Sequence, residues 1–356
     1  YKEKGYSDIL LMPVFEEGVK ADYILRSKKS MGFNLQETVS RKINAAIEDQ
    51  MLEKAGIQQN ILDSIHSSAQ VAELKAYEDE GKKSKESNAA LAMGVGYASG
   101  LLIYITMFIY GTMVMRGVME EKTNRIAEVI VSSVKPFELM LGKIIGIGAV
   151  GLTQFLMWII LVITLTGVGM NMLPLEIQTQ VQQLQASNGQ MGAAGLAQAS
   201  ESAKNVYAVQ HVLSTTNWTL IIGCFFVYFL GGYLLYSALF AAVGAAVDNE
   251  TETQQFMLPV TLPLVFSFIV AQSIIQNPDS ALGFWFSIIP FTSPVVMMVR
   301  IAFGVPTWEL GLSIGLLIIG FLLTTWLAGK IYRTGILLYG KKVTYKELAK
   351  WLFYKN

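Results

Sequence analysis

The sequence predicts an all-α polytopic membrane protein with a small α/β extracytoplasmic domain attached. Three observations predict it. Hydrophobic residues make up 53% of the 356 and charged residues only 15%, against roughly a quarter charged in a soluble domain. Five runs contain no Asp, Glu, Lys or Arg: Ala89–Met115, Ile144–Met170, Trp218–Val247, Phe256–Ile275 and Leu310–Ala328. At ~1.5 Å rise per residue these helices span roughly 28–45 Å, enough to cross a bilayer. The Lys and Arg residues, finally, are spread unevenly over the segments between the runs.

Residues 1–88 are soluble in character. Ile9–Phe15 and Tyr23–Arg26 have the composition of short strands. Between Asn34 and Leu52 the apolar Leu35, Val39, Ile43, Ile47 and Met51 recur every four residues, which predicts an amphipathic helix capped by Asn34. A second helical stretch is expected to run to about Tyr77, with the polar run Glu78–Asn88 leading into the membrane. The chain opens at Tyr1 with neither an initiator Met nor the basic and apolar regions of a signal peptide. It reads as a fragment, with one more span expected ahead of this ectodomain and six in all.

The membrane part is expected over 89–340, followed by a tail at 341–356. A sixth uncharged stretch, Phe284–Val299, is short and interrupted by Pro290 and Pro294, so a broken, re-entrant or interfacial segment fits better than a full span. The outer loop 171–217 holds eight glutamines and little charge. Such a composition builds no large core; its options are an interfacial helix through Leu175, Val181 and Leu184, or partial disorder.

Orientation follows from Lys and Arg. Arg116, Lys122, Arg125, Lys135 and Lys143 lie between the first two runs, and Lys330, Arg333, Lys341, Lys342, Lys346 and Lys350 follow the last. The loop 171–217 holds only Lys204, and 276–309 only Arg300. Five spans put the two basic segments on one side, which is therefore cytoplasmic, together with the turn Asp248–Gln255. The localisation expected is a bacterial cytoplasmic (inner) membrane.

Several chemistries are poorly supplied. The net charge of zero excludes an overall basic nucleic-acid binder. Two histidines, His66 and His211, make no metal cluster or hydrolytic triad, and the single Cys224 suits packing in an apolar run. No Gly-rich turn is followed by Lys and Ser/Thr at phosphate-loop spacing, so ATP chemistry would need another chain. The uncharged runs offer hydroxyls and amides, whose ordinary role is helix-to-helix hydrogen bonding. Thr153, Gln154 and Gln272 are the candidates for a translocation path, because an amide in hydrocarbon needs a partner. The paired glycines Gly94/Gly96, Gly146/Gly148 and Gly231/Gly232 fit close helix approach better than a nucleotide site.

The polar island Arg116–Lys143 is more specific. Ile126, Val129, Ile130 and Val134 form one apolar stripe at helical spacing, while Glu121 with Arg125 and Arg125 with Glu128 are spaced to pair on the outer face. Pro136 stops the helix and Phe137 starts the next. A basic polar face would suit lipid headgroups; mixed charge suits a protein partner.

The segment GVMEEKTNRIAEVIVSSVKPFELMLGKIIG resembles the cytoplasmic segment of type-2 ABC exporter permeases, in particular the sodium-efflux-type branch with a large ectodomain after the first helix. The resemblance rests on Glu120, Glu121 and Lys122, then Ser132 and Pro136, then Leu141, Gly142 and Lys143. It implies six helices per permease, a second permease copy, and a separate ABC-type ATPase that brings ATP and Mg, with no cofactor in this chain. It also implies a coupling helix over 117–135 and a re-entrant hairpin at 284–299. Glu120, Glu121, Lys122, Arg125 and Glu128 would then serve ATPase coupling, with Pro136 and Lys143 fixing the helix junction. The function expected is export of an ion, drug or lipid-like substrate. The alternatives are an intramembrane lipid-modifying enzyme and a membrane sensor or scaffold.

Overall fold

A computed structural model describes residues 8–12, 22–27, 33–55, 73–80, 83–87, 89–131, 133–186, 200–203, 206–207, 210, 217–338 and 343–353. The chain divides into two compact units. One comprises Tyr1–Met93, Ile163–Trp218 and Gln276–Pro278; the other comprises Gly94–Val162, Thr219–Ile275 and Asp279–Asn356.

The first unit contains a four-stranded sheet in the order β1 (Asp8–Leu11), β2 (Asp22–Ser27), β3 (Glu73–Glu80) and β4 (Lys83–Ser87). The outer pairs are antiparallel, with Leu10 opposite Leu25 and Tyr77 opposite Glu86; the central β2–β3 pair is parallel, with Asp22 beside Glu73. A parallel pair needs a crossover, and α1 (Phe33–Ala55) lies in it. Tyr23 and Leu25, alternate residues of β2, are buried with Ile43 and Ile47 of α1, flanked by Leu10, Val39 and Met51. The four-residue apolar repeat is thus the face that α1 turns to the sheet.

Three expectations for this region need correction. Helix α1 begins at Phe33, so Asn34 lies in its first turn and not at the cap. Residues 73–77 are strand, not helix, because β3 pairs on both sides; 56–72 lie outside the described residues. Within the polar run, 78–80 belong to β3 and 83–87 form β4, paired antiparallel, instead of a simple lead-in; 81, 82 and 88 lie outside the described residues. In the loop 171–217, α5 (Leu175–Ala186) is helical, with Leu175 exposed and Val181 and Leu184 buried. The Ser200 hydroxyl donates to Gln180 Oε1 at 2.9 Å, and 187–199 lie outside the described residues.

Among the described residues, five helices are long and apolar enough to cross a membrane. They are α2 (Ala89–Thr123), α4 (Pro136–Met172), α6 (Trp218–Ala246), α7 (Glu250–Gln276) and α10 (Thr307–Gly335). Most run past the uncharged stretches that announce them, so charged side chains sit on their end turns. The turn expected at Asp248–Gln255 shrinks to residues 247–249, since Asn249 Oδ1 accepts from the Glu252 amide at 2.9 Å and starts α7. Helix α7 continues through Pro259 and Pro263.

The core of the second unit is built around α6, which buries the largest share of its length among the five. Tyrosine hydroxyls anchor it: Tyr233 donates to the Ile144 carbonyl at 2.7 Å and Tyr236 to the Phe291 carbonyl at 2.6 Å. Small residues set its spacing. A Cβ on Gly232 would lie 2.6 Å from Met107 Sδ and 2.8 Å from Pro294, and one on Gly244 would collide with the Met115 carbonyl. Gly96, Gly148 and Gly231 are likewise crowded by neighbours, whereas Gly94 and Gly146 have open space. Close approach thus explains at least one glycine of each pair.

The stretch with Pro290 and Pro294 is a helical hairpin, α8 (Ala281–Ile288) and α9 (Ser293–Ile301). Ser280 caps α8 through the Gly283 amide at 3.1 Å, and every residue of α9 is buried, Arg300 included. The Arg300 guanidinium lies 2.8 Å from Glu309 Oε2 on α10 and donates to Ser287 Oγ at 2.7 Å. Ser313 closes the cluster by donating to the Ser287 carbonyl at 2.6 Å. Arg300→Met would leave the Glu309 carboxylate buried without its cation, at a cost of about 3 kcal/mol or more. Thermal unfolding in detergent is expected to show a large fall for Arg300→Met and recovery of most of it in Arg300→Met/Glu309→Met.

Candidate functional site

The island between α2 and α4 is three pieces, not one coupling helix over 117–135. Helix α2 carries on out of its apolar run to Thr123. Asn124 and Arg125 turn the chain, a short α3 (Ile126–Val131) follows, and α4 starts at Pro136. Arg125 ends α2 in the left-handed region, φ 56°, a position at which a helix commonly terminates. Pro136 opens α4, where a missing N–H costs nothing, and the Lys135 carbonyl accepts from Glu138 and Leu139 at 2.9 and 3.1 Å. Ser132 lies outside the described residues.

The break reorganises the expected pairings. The Glu121 carboxylate lies 2.7 Å from Lys143 Nζ on α4. Lys122 points into the unit, 1% exposed. Its ammonium donates to the Ala245 carbonyl at 2.8 Å and lies 2.8 Å from Asp248 Oδ1. A cation at that carbonyl also complements the C-terminal end of α6. Beside it Met119, Val247 and Phe256 form a small apolar cluster with Val343 and Leu348 of the tail.

What faces outward is different. Glu120, Arg125 and Glu128 are exposed, as are Arg116, Lys135 and Glu138. Among them lie exposed Ile126, Val129, Val134 and Phe137, with Val129 at 73%. Among the described side chains of α3, Ala127 is the one fully buried in the core. Of the expected stripe, Ile126, Val129 and Val134 are exposed and Ile130 is half-buried, with Val134 beyond the end of α3.

The tail helix α11 (Tyr345–Trp351) opens with a capping box of Thr344 and Glu347. It docks at the same end of the unit. The Tyr345 ring packs on Phe256 at 4.8 Å, its hydroxyl donates to the Gln255 carbonyl at 3.1 Å, and Trp351 lies against Gly335. Lys330 donates to the Leu352 carbonyl at 3.0 Å.

The path candidates do not converge. Thr153 bonds back to the Ala149 carbonyl at 2.7 Å, and Gln154 Oε1 accepts from Tyr110 at 2.6 Å. Both line an open groove of about 660 Å³ on α4 with Ala149, Val150, Met157, Trp158 and Leu161. Gln272 is exposed on α7 and does not line this groove. Sequence reasoning missed Asp248 and the Arg300–Glu309 pair. Between Asp279 and Lys330 these last two are the only charges, which is a readable signal for mutual pairing.

The helices, their charge distribution and the docked tail define a multi-pass membrane protein with an elaborated face on one side. More particularly, the chain belongs to the ABC-2 family of transporter proteins, whose family model matches residues 14–330. The chain thus carries the membrane permease domain of an ABC-type transporter family. Two relatives are similar. One, from Bacillus subtilis (strain 168) and described as "Uncharacterized protein YhaP", is 28% identical over 298 residues, 83% of this chain and 63% of the relative. The other, "Uncharacterized protein MJ1024" from Methanocaldococcus jannaschii, is 25% identical over 272 residues, 76% of this chain and 56% of the relative. The chain therefore matches less than two thirds of the length of either. No solved structure matches it.

The two faces of α3 make opposite demands. Val129→Asp is expected to leave the unfolding midpoint of the purified chain nearly unchanged, within about 0.5 kcal/mol as for other exposed sites. Ala127→Asp would bury a carboxylate and is expected to cost several-fold more, about 3 kcal/mol. Thermal unfolding of the two variants side by side checks the orientation.

Proposed function

We propose that this chain is the membrane-spanning half of an ATP-driven exporter, working with a separate ABC-type ATPase and a second permease copy in a bacterial cytoplasmic membrane. The observation that carries the reading is the exposed face of the island. Apolar Ile126, Val129, Val134 and Phe137 are exposed in the same segment as three exposed cations and three exposed anions, Arg116, Arg125, Lys135, Glu120, Glu128 and Glu138. An anionic lipid surface would favour cations alone, whereas an apolar centre with a charged rim of both signs is the anatomy of a protein interface. In this reading Glu120, Arg125 and Glu128 contact the ATPase, and Pro136 fixes the junction from which α4 departs.

The organisation follows the same logic. Residues 1–88 form an extracytoplasmic domain, 89–340 the membrane domain with its outer loop 171–217, and 341–356 a cytoplasmic tail. The hairpin at 284–299 is re-entrant from the outer side. The cargo is an ion, a drug or a lipid-like molecule. The groove on α4, apolar apart from Thr153 and Gln154, is best suited to an amphiphile, and Gln272 would serve a separate stretch of the path. The sodium-efflux branch supplies sodium as one cargo to test.

Affinity purification of the full-length protein from its native membrane is the test. The unmodified protein is expected to bring down an ABC-type ATPase. Glu120→Lys/Glu128→Lys and Val129→Asp are expected to lose most of it while keeping their unfolding midpoints. Full retention of the ATPase by both variants would overturn the assignment of this face.

A further inference from the structure

Glu121 and Lys122 are consecutive, so their side chains leave α2 about 100° apart. They use that angle to reach different helices. Glu121 holds Lys143 on α4, and Lys122 holds Ala245 at the end of α6 and Asp248 in the turn to α7. Lys143 in turn fills the space beside Gly117, where a Cβ would lie 3.2 Å from its ammonium. Two adjacent residues thus tie the end of one helix to two others and to the short turn that leads into α7, directly before the break at Asn124–Arg125 and α3.

We propose that Glu121, Lys122, Lys143 and Asp248 are positioning residues. They form a polar yoke that makes the cytoplasmic ends of α2, α4, α6 and α7 move as one block, so that a push on α3 reaches α6 and α7 instead of bending α2. The proposal rests on the island being the ATPase receiver and adds what carries the push inward. The other contacts at this level are weaker: the Thr253 hydroxyl donates to Met119 Sδ at 3.3 Å, and a thioether is a weak acceptor. Met119, Val247 and Phe256 touch through apolar surface, which is non-directional and tolerates sliding. An enclosed ammonium does not. If α2 slips past α6, Lys122 loses a carbonyl and a carboxylate together, and the 1% of its side chain that is exposed gives water no room to replace them. Asp248 is 29% exposed and can be rehydrated, so the penalty falls on the α2 side and opposes its independent movement.

The test uses spin labels on exposed Thr123 and Gln254 in a Cys224→Ser background, with pulsed-EPR distances recorded for the full-length protein in lipid nanodiscs. Measurements are made alone and with its copurified ATPase, without nucleotide and with ATP plus vanadate. The unmodified yoke is expected to keep one narrow distance distribution in every state. Lys122→Met and the milder Asp248→Asn are expected to broaden it and add a second, longer distance with nucleotide, while the ATPase stays bound. Lys122→Asp/Asp248→Lys is expected to restore the narrow distribution in part, because it rebuilds the ion pair but not the bond to Ala245. Glu121→Gln, which leaves an amide to hold Lys143, provides a variant with little risk to folding and is expected to broaden less. Narrow distributions in Lys122→Met and Asp248→Asn, with and without nucleotide, would overturn the yoke. Broadening in these variants when no ATPase copurifies with any version of the protein would sustain the yoke and overturn only the reading of the island as its receiver.

Discussion

Lys122 places a full positive charge where 1% of its side chain meets solvent. Removing an ion from water costs several kcal/mol even after the protein relaxes, so the rest of that end of the unit has to answer it. Helix α6 must finish where Ala245 can offer an unused carbonyl, and the turn to α7 must be short enough to hold Asp248 within 2.8 Å. Helices α2 and α6 must also approach closely enough for the ammonium to span them. The absence of a side chain at Gly244, directly against the Met115 backbone, allows that approach. A bulky residue there and the Lys122 contacts could not coexist.

The hairpin end of the unit meets a comparable demand with a different group. Arg300 is enclosed at the end of α9, and a guanidinium keeps its charge in any protein environment. Its Nη1 meets Glu309 and Ser287 at once, joining α9, α8 and α10. Ser313 then takes up the Ser287 carbonyl, which ties α8 to α10 a second time. The hairpin is thereby fastened to α10 by polar contacts as well as by the apolar face of α9, which alone would leave its rotation loosely specified.

The sequence shows the five spans clearly because lipid tolerates so little charge, and uncharged runs of that length have few other uses. It shows their ends poorly for the same reason. A run ends at its first charge, but the helix does not, since a charged residue on an end turn can pair with a neighbour, as Glu121, Lys122 and Lys143 do. The contact of Glu121 with Lys143 lies beyond i, i+4 reasoning, which holds only within a helix, and this one stops at Thr123 with Arg125 left-handed. Strand β3 was illegible for a further reason. ELKAYEDE is rich in helix-favouring residues, and only its two neighbouring strands, one far away in the chain, make it a strand. The mixed charge around α3 was legible as composition. Which of those charges face outward was not, because that depends on where α4 and α6 stand.

A joint meant to transmit motion has a physical reason to use ion pairs where apolar packing would be at least as stable. Replacing a buried pair by well-packed hydrophobic residues is often neutral or stabilising, so stability alone does not explain Lys122 and Asp248. Apolar contacts keep much of their energy when one helix slips by a fraction of a turn, since buried area changes little. A charge-assisted hydrogen bond at 2.8 Å is lost over a far shorter slip. The pair therefore resists relative displacement, even if it adds little to the depth of the folded state. Stiffness of that kind is useful at the charged end of α2, where the chain turns from an apolar run into a segment with an exposed, mixed-charge face. It is less useful in the middle of the helices, where tyrosine hydroxyls and small residues set the packing and no described side chain carries a charge.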